Sequence, residues 1–301
     1  MNILTTTSSF SLDDFPASLT VIHNPYKRRL TEEEVISLIE QYQPVGIIAG
    51  VEPLTRKVLE KAKNLKIISR CGIGLDSVDL EAAREFGIKV ANTPDAPTAS
   101  VAEFTLGLML CILRRIHTLD ALIRNGGWKG PQGNLLKDKT VGVIGCGRIG
   151  TYVAKLVKAF GCNMLGYDPF IKNHDICKMV SFDELISHSD IITLHMPYTE
   201  ENRHMIGKEE LSKMKKTAFL INTARGGLVD EDALYDALKS GQIAGAALDC
   251  FENEPYDGPL KTLDNVVLAA HMGASAVEGR AIMERQALDN LVNELKAQGL
   301  I

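Results

Sequence analysis

The sequence predicts an α/β fold built as two lobes, each a doubly wound parallel sheet. Three observations carry that expectation. Short apolar runs alternate with helical stretches along nearly the whole chain, a rhythm that favours parallel strands covered by helices on both faces. The rhythm breaks once, at the turn-rich stretch Asn92-Thr93-Pro94-Asp95-Ala96-Pro97, and then resumes. A chain of 301 residues is also about two domains long.

In the first lobe, Ile3–Thr6, Leu19–His23, Gly46–Ala49, Lys66–Ser69 and Lys89–Ala91 read as strands. Thr31 with Glu34 has the spacing of a capping box and opens a helix between the second and third of them. Beyond the connector, Ser100 with Glu103 has the same spacing, and the helix it opens is expected to run unbroken to Asn125-Gly126-Gly127. The second lobe then repeats the alternation. Its predicted strands are Thr140–Ile144, Asn163–Tyr167, Ile191–Leu194, Ala218–Ile221, Gly245–Leu248 and Val266–Ala269. Helices are expected at Arg148–Phe160, Phe182–Ser187, Glu209–Met214 and Glu231–Lys239, the last closed by Ser240-Gly241. The tail from Val277 to Ala297 reads as one amphipathic helix that returns to the first lobe. The expected division is therefore 1–96 plus 278–301 for one domain and 97–277 for the other.

Composition narrows the classes of function. Lys and Arg number 33 against 38 Asp and Glu, a net charge of −5, so no basic surface is built for nucleic acid. The most apolar stretch, Phe104–Leu113, stops at Arg114 and Arg115, short of the ~18 residues a membrane span needs. No Lys or Arg precedes Lys27, so the amino terminus lacks the charged start of a secretory signal. The six cysteines show neither a C-x-x-C pair nor a Cys/His metal spacing, which suits reduced thiols in the cytoplasm and no metal.

One loop carries a specific signal. Gly145-Cys146-Gly147-Arg148-Ile149-Gly150 is a G-x-G-x-x-G run placed between a β-branched strand and a helix. Gly145 permits the tight turn, Gly147 lets a pyrophosphate approach the backbone, and Gly150 lets helix and strand pack closely. The N–H groups of Arg148 and Ile149 then face the anion at the helix start. Asp168 follows the next strand, eighteen residues past Gly150. A carboxylate there accepts from both ribose hydroxyls and repels a 2′-phosphate, which favours NAD over NADP. The second lobe is therefore expected to bind NAD in a Rossmann-like fold. No Gly-Lys-Ser/Thr ends the loop, so it is not the phosphate loop of a kinase or ATPase. Cys146 stands near that helix start, a position expected to lower its thiol pKa and expose NAD binding to oxidation.

Ligands of open α/β sheets sit at the carboxyl ends of strands. Three titratable residues follow strands of the second lobe: Arg225, Glu254 and His271. Histidine can give and take a proton near neutral pH. A carboxylate beside it favours the imidazolium, and a guanidinium grips a carboxylate bidentately. Those are the parts needed to move a hydride to or from the carbinol carbon of a small hydroxy acid. His195 also follows a strand, and its place nearer the adenosine side makes it a cofactor-edge residue.

With these residues in view, the chain resembles the D-isomer-specific 2-hydroxyacid dehydrogenases, the group that includes D-3-phosphoglycerate dehydrogenase. The likeness rests on Gly145–Gly150 with Asp168, on Asn222–Glu231, on Ala247–Pro255 and on His271–Ala274, and it spans nearly the whole chain. It implies two Rossmann-like lobes, with a cleft between an NAD-binding domain and a discontinuous substrate domain. It implies that Arg225 holds the substrate carboxylate, that Glu254 pairs with His271, and that His271 is the acid/base. Asp249, Met196, Pro197, Thr223, Ala224, Gly273 and Ala274 would line the cofactor, together with Arg225 and His271. Backbone N–H groups of Cys71, Gly72, Ile73 and Gly74 would hold the substrate carboxylate. A homodimer through the cofactor domain is implied as well, using the long helix at Val101–Arg124.

The chain also departs from that pattern. Ile47-Ile48-Ala49-Gly50-Val51-Glu52 has no Arg where phosphoglycerate dehydrogenases carry one, and Pro97 stands where many have an Asn. Both changes weaken the case for a phosphorylated substrate. Ala270 replaces a common Pro before the histidine, with little expected consequence. No room is expected for a C-terminal regulatory domain. The family resemblance leaves open an NAD-sensing, corepressor-like binding protein, a hydroxypyruvate or glyoxylate reductase, and an oxidiser of phosphite or formate. The last needs extra cations in the first lobe that the sequence does not match.

Overall fold

The computed structural model describes residues 1–94 and 96–301; Asp95, in the predicted connector, lies outside them. The chain divides into two compact units, Met1–Pro97 with Ala274–Ile301 and Thr98–Gly273. No helix among the described residues is long and apolar enough to cross a membrane.

The first unit is a five-stranded parallel sheet: β1 (Asn2–Thr5), β2 (Thr20–His23), β3 (Gly46–Ala49), β4 (Ile67–Arg70) and β5 (Lys89–Ala91). The spatial order is β2-β1-β3-β4-β5, so the connections reverse direction between β1 and β3, the place where such sheets bind ligands. Helix α1 (Glu32–Tyr42) starts at the predicted capping box, Thr31 and Glu34 capping each other's backbone N–H. Two short helices, α2 (Arg56–Lys61) and α3 (Leu80–Glu85), were not anticipated. Each begins at a side-chain cap, Thr55 or Asp79.

In the second unit the long predicted helix is two. Helix α4 (Thr98–Arg114) ends where Arg115 takes a left-handed conformation (φ +54°), and α5 (Ile116–Arg124) follows. The helix starts at Thr98, so Ser100 lies inside it and is not a cap. A seven-stranded parallel sheet follows: β6 (Thr140–Ile144), β7 (Asn163–Tyr167), β8 (Lys178–Met179), β9 (Ile191–Leu194), β10 (Phe219–Asn222), β11 (Gly245–Leu248) and β12 (Val266–Leu268). Its order is β12-β11-β10-β9-β6-β7-β8. The direction reverses between β6 and β9, which pair from Val141–Ile191 to Ile144–Leu194. Helices α6 (Arg148–Lys158), α7 (Phe182–His188), α8 (Lys208–Lys213) and α9 (Glu231–Lys239) complete the unit.

The last helix, α10 (Val277–Ala297), belongs to the first unit. It lays Met283, Ala287, Leu291 and Leu295 on the sheet among Ile3, Ile48 and Ile67. Gly46 makes room for it, since a Cβ there would stand 3.0 Å from Leu291. Burying such side chains contributes roughly 1.5–3 kcal/mol each. Apolar clusters lie in each unit, so both sheets are packed cores whose strand ends carry loops.

Candidate active site

At the reversal point of the second sheet the chain leaves β6 and turns at Gly145 (φ +91°). A side chain here is excluded twice over: the dihedral is left-handed, and a Cβ would lie 2.6 Å from the His195 carbonyl carbon. At Gly150 a Cβ would lie 1.9 Å from the Gly145 oxygen, so α6 begins in direct contact with the turn. Gly147 is the N-cap of α6, and a Cβ there would meet nothing within 4 Å. No side chain caps this helix. Open ground before an uncapped helix start is what a pyrophosphate requires, so these residues fit a dinucleotide.

Asp168 follows β7 and braces the loop. Its Oδ2 accepts from the Cys146 N–H at 2.9 Å, and Oδ1 accepts from Phe170 and Ile171 at 2.9 and 3.1 Å. An ionised carboxyl has about four acceptor positions, so a ribose hydroxyl still finds one. Cys146 does not have the lowered pKa expected of it. A hydrogen bond with the Cys177 thiol, together with burial, pushes its thiol up, while the same contact lowers Cys177. Cys146 is also buried, and buried thiols of raised pKa are inert.

The ends of β10, β11 and the stretch after β12 hold the other predicted residues. After β10, Asn222 shapes the turn: its Oδ1 accepts from Ala224 N–H at 3.1 Å and its Nδ2 donates to Arg225 O at 2.9 Å. Arg225 Nη1 donates to Ala224 O at 2.8 Å. Thr223 shares a hydroxyl contact of 2.8 Å with Thr105 of α4. The turn packs on the next strand's loop so tightly that a Cβ at Gly226 would fall 1.9 Å from the Phe251 carbonyl carbon.

Asp249, at the end of β11, is buried and organises the histidine loop. Its carboxylate accepts from the N–H groups of Met272 and Gly273, both at 2.7 Å, and its carbonyl accepts from His271 N–H at 2.7 Å. Burial raises its pKa, with those two amides opposing. His271 itself is left-handed (φ +56°). Its Nδ1 meets Glu254 at 2.9 Å (Oε2) and 3.0 Å (Oε1), and Glu254 Oε1 also accepts from Phe251 N–H at 3.1 Å. Burial alone would raise the Glu254 pKa, but the His271 hydrogen bond and charge, the Phe251 amide and Arg225 outweigh it and hold the carboxyl below its ordinary value. With Nδ1–H donating to the Glu254 carboxylate, Nε2 is the ring atom left for exchange.

Met196 and Pro197 follow β9, and the Met196 side chain closes over Gly145. His195 between them and the strand has a different character. Its Nε2 meets Thr193 Oγ1 at 2.9 Å, while Nδ1 is buried with no partner. Burial depresses its pKa to about 3, so it is a neutral ring at physiological pH.

The sequence reading missed a support for the Glu254 turn. Glu252 donates its N–H to Glu231 Oε1 at 2.7 Å, and its carboxylate pairs with His204. Burial raises the Glu231 pKa. From sequence, Glu231 reads only as an acid in the first turn of α9 behind its N-cap Asp230. Among the described residues no group of three His, Cys, Asp or Glu side chains is placed to hold a metal.

In the first unit, Cys71–Gly74 follows β4. Cys71 N–H donates to Ala49 O and Gly72 N–H to Thr93 Oγ1. Gly72 holds a backbone conformation that L side chains rarely adopt (φ +144°), with the Arg70 guanidinium beside it. Ile73 O accepts from Asn92. Of the four predicted N–H groups, those of Cys71 and Gly72 are therefore already engaged within this unit. Ala274 also belongs to this unit, packed near Cys71 and Met283.

The chain is similar to known proteins. Residues 106–273 match the family model for the NAD-binding domain of D-isomer-specific 2-hydroxyacid dehydrogenases. A D-3-phosphoglycerate dehydrogenase of Methanocaldococcus jannaschii is 48% identical over 259 residues, covering 83% of this chain and 49% of that one. A hydroxypyruvate reductase of Thermotoga maritima is 41% identical over 273 residues, covering 88% and 89%. The chain thus spans about half the length of the first relative and most of the second. A solved structure from Thermus thermophilus superposes with a TM-score of 0.89 at 35% identity, covering 99% of this chain and 97% of that one. With its glycine loop, its histidine–carboxylate pair and these relatives, the chain belongs to the D-isomer-specific 2-hydroxyacid dehydrogenase family.

Proposed function

We propose that the protein is an NAD-dependent oxidoreductase that interconverts a small D-2-hydroxy acid and its 2-keto acid. The observation that carries the reading is the His271–Glu254 contact of 2.9 Å on the same sheet edge as Arg225. Bound NAD supplies or accepts the hydride at its nicotinamide ring. The glycine loop, Asp168, Met196, Pro197, Thr223, Ala224, Asp249 and Gly273 would line the cofactor within the second unit.

Glu254 fixes the His271 ring with its proton on Nδ1 and stabilises the positive charge, so Nε2 gives a proton to the keto oxygen on reduction and takes it back on oxidation. Arg225 grips the carboxylate and offsets charge growing on that oxygen. Asp249 sets the histidine's position through the backbone N–H groups of His271, Met272 and Gly273.

The test is NADH oxidation with a panel of 2-keto acids. Turnover that His271→Ala abolishes while NADH affinity is kept supports the reading. Tight NADH binding with no turnover on any keto acid overturns it in favour of a sensor.

The dimer is part of the same proposal. Helix α5 buries no residue within the chain, and Ile116, Ile123, Trp128 and Leu135 are exposed around it. A second copy of the chain would cover that apolar face. Six free cysteines suit a reducing, cytoplasmic compartment.

A further inference from the structure

Cys146, in the middle of the glycine loop, has its backbone held on both sides by the stretch that follows β7. Its N–H donates to Asp168 Oδ2 at 2.9 Å, and its carbonyl accepts from the Thr151 hydroxyl, in the first turn of α6, at 2.9 Å. Thr151 Oγ1 in turn meets His174 Nε2 at 3.0 Å. The other ring nitrogen of His174 faces its own chain: Nδ1 meets the N–H groups of Ile176 at 3.2 Å and Cys177 at 3.1 Å. Ile171 and Ile176 pack on the buried cluster that contains Cys177 and Val153 of α6, so the ring stands on the same core as the helix.

The direction of every bond in this relay is fixed. Amide N–H groups only donate, so Nδ1 is an acceptor and the ring proton sits on Nε2. The Thr151 hydroxyl has one proton and gives it to the Cys146 carbonyl, so Thr151 can only accept from His174. Both ends of the relay therefore require the same tautomer. What it holds is the Cys146–Gly147 peptide. That peptide is trans and planar, so fixing its carbonyl on Thr151 turns the Gly147 N–H to the opposite side. Glycines on either side of Cys146 leave this backbone many conformations. Asp168 restrains the peptide on the amino side of Cys146 and His174 the one on its carboxyl side.

We propose that His174 is a positioning residue for the dinucleotide: acting through Thr151, it holds the peptide before α6 so that the uncapped N–H groups of the helix face the pyrophosphate. The proposal rests on the NAD-binding reading of the glycine loop and extends it to a residue outside the motif. A loop ordered before the cofactor arrives costs less to order when it binds.

The experiment is an NADH titration of His174→Asn, Thr151→Val and the double variant beside the wild type. Asparagine keeps an oxygen for the Ile176 and Cys177 amides, as it does in turns, and loses the reach to Thr151. Each single variant should raise the Kd for NADH about fivefold to tenfold. The double variant should bind within about twofold of the weaker single one, because both changes cut one relay. In turnover the loss should appear in KM for NADH and leave KM for the keto acid in place. A folded His174→Asn that binds NADH within about twofold of wild type overturns the proposal, as does a double variant in which the two losses multiply. A second measurement needs no variant. Ring-nitrogen NMR spectra of the cofactor-free wild type should show the His174 proton on Nε2, and a proton on Nδ1 would break the relay and sink the assignment. A wild type that does not bind NADH would instead remove the cofactor reading, and this proposal with it.

Discussion

His195 and His271 both follow parallel strands of the second sheet, β9 and β12, yet their surroundings are opposite. The ring of His195 sits against Thr193 with Nδ1 sealed and unpartnered, and burial keeps it neutral with a pKa near 3. His271 stands on a left-handed residue at the surface, its side chain 45% exposed, with a carboxylate on Nδ1. Position at a strand's end brings a histidine to the ligand edge. Only a charge partner and solvent access equip it to exchange protons.

The largest expected effect tests that distinction directly. His271→Ala should lower kcat by about 10²–10⁴-fold, with NADH affinity nearly kept, in steady-state assays and NADH titration. An equal loss from a His195 substitution, with the protein folded, would break the comparison.

Arg225→Ala comes next. It should raise KM for the keto acid and lower kcat together, a combined loss of about 10²-fold or more in kcat/KM, since a bidentate charge-assisted contact is lost in ground and transition states. A change confined to kcat would mean that Arg225 does not hold the carboxylate.

Glu254→Gln sharpens the comparison from the other side. Turnover should fall about tenfold as the charge beside the ring disappears. The Glu254 carboxyl is held below its ordinary value, so the wild-type pair persists above that lowered value and is lost as pH falls through it. The wild type should therefore show an acid limb in kcat below pH ~4.3, and the variant should lack it. An identical acid limb in both proteins assigns that limb to another group.

Much of this was legible in the residues, and for identifiable reasons. Strands such as Asn163–Tyr167 and Gly245–Leu248 were bounded correctly because short apolar runs end in turn residues. The glycine loop showed itself because each glycine answers a separate steric demand. Glu254 and His271 were named from strand-end logic, and the fold brings them into contact. The break at Arg115 was invisible because Leu113-Arg114-Arg115-Ile116 contains no glycine or proline. Strand β8 is two residues of Lys-Met, too short for any periodicity. The raised thiol of Cys146 depends on Cys177, a neighbour thirty-one residues away. The burial of Glu52 was not legible, since burial of a charged side chain leaves no trace in the pattern.

The smallest effect concerns stability and turns on His195. Its folded pKa is depressed to about 3, whereas an unfolded histidine titrates near pH ~6.5. Between those values the unfolded chain binds a proton that the folded protein refuses, so stability is full above the unfolded value and is lost as pH falls. From pH 7 to pH 5 that linkage amounts to about 2 kcal/mol. His195→Asn removes the titrating ring. Urea unfolding at the two pH values should show the wild type losing about 2 kcal/mol more than the variant. Equal losses would mean that the ring takes up its proton in the folded state, and the sealed nitrogen at the end of β9 would then be open to exchange as His271 is.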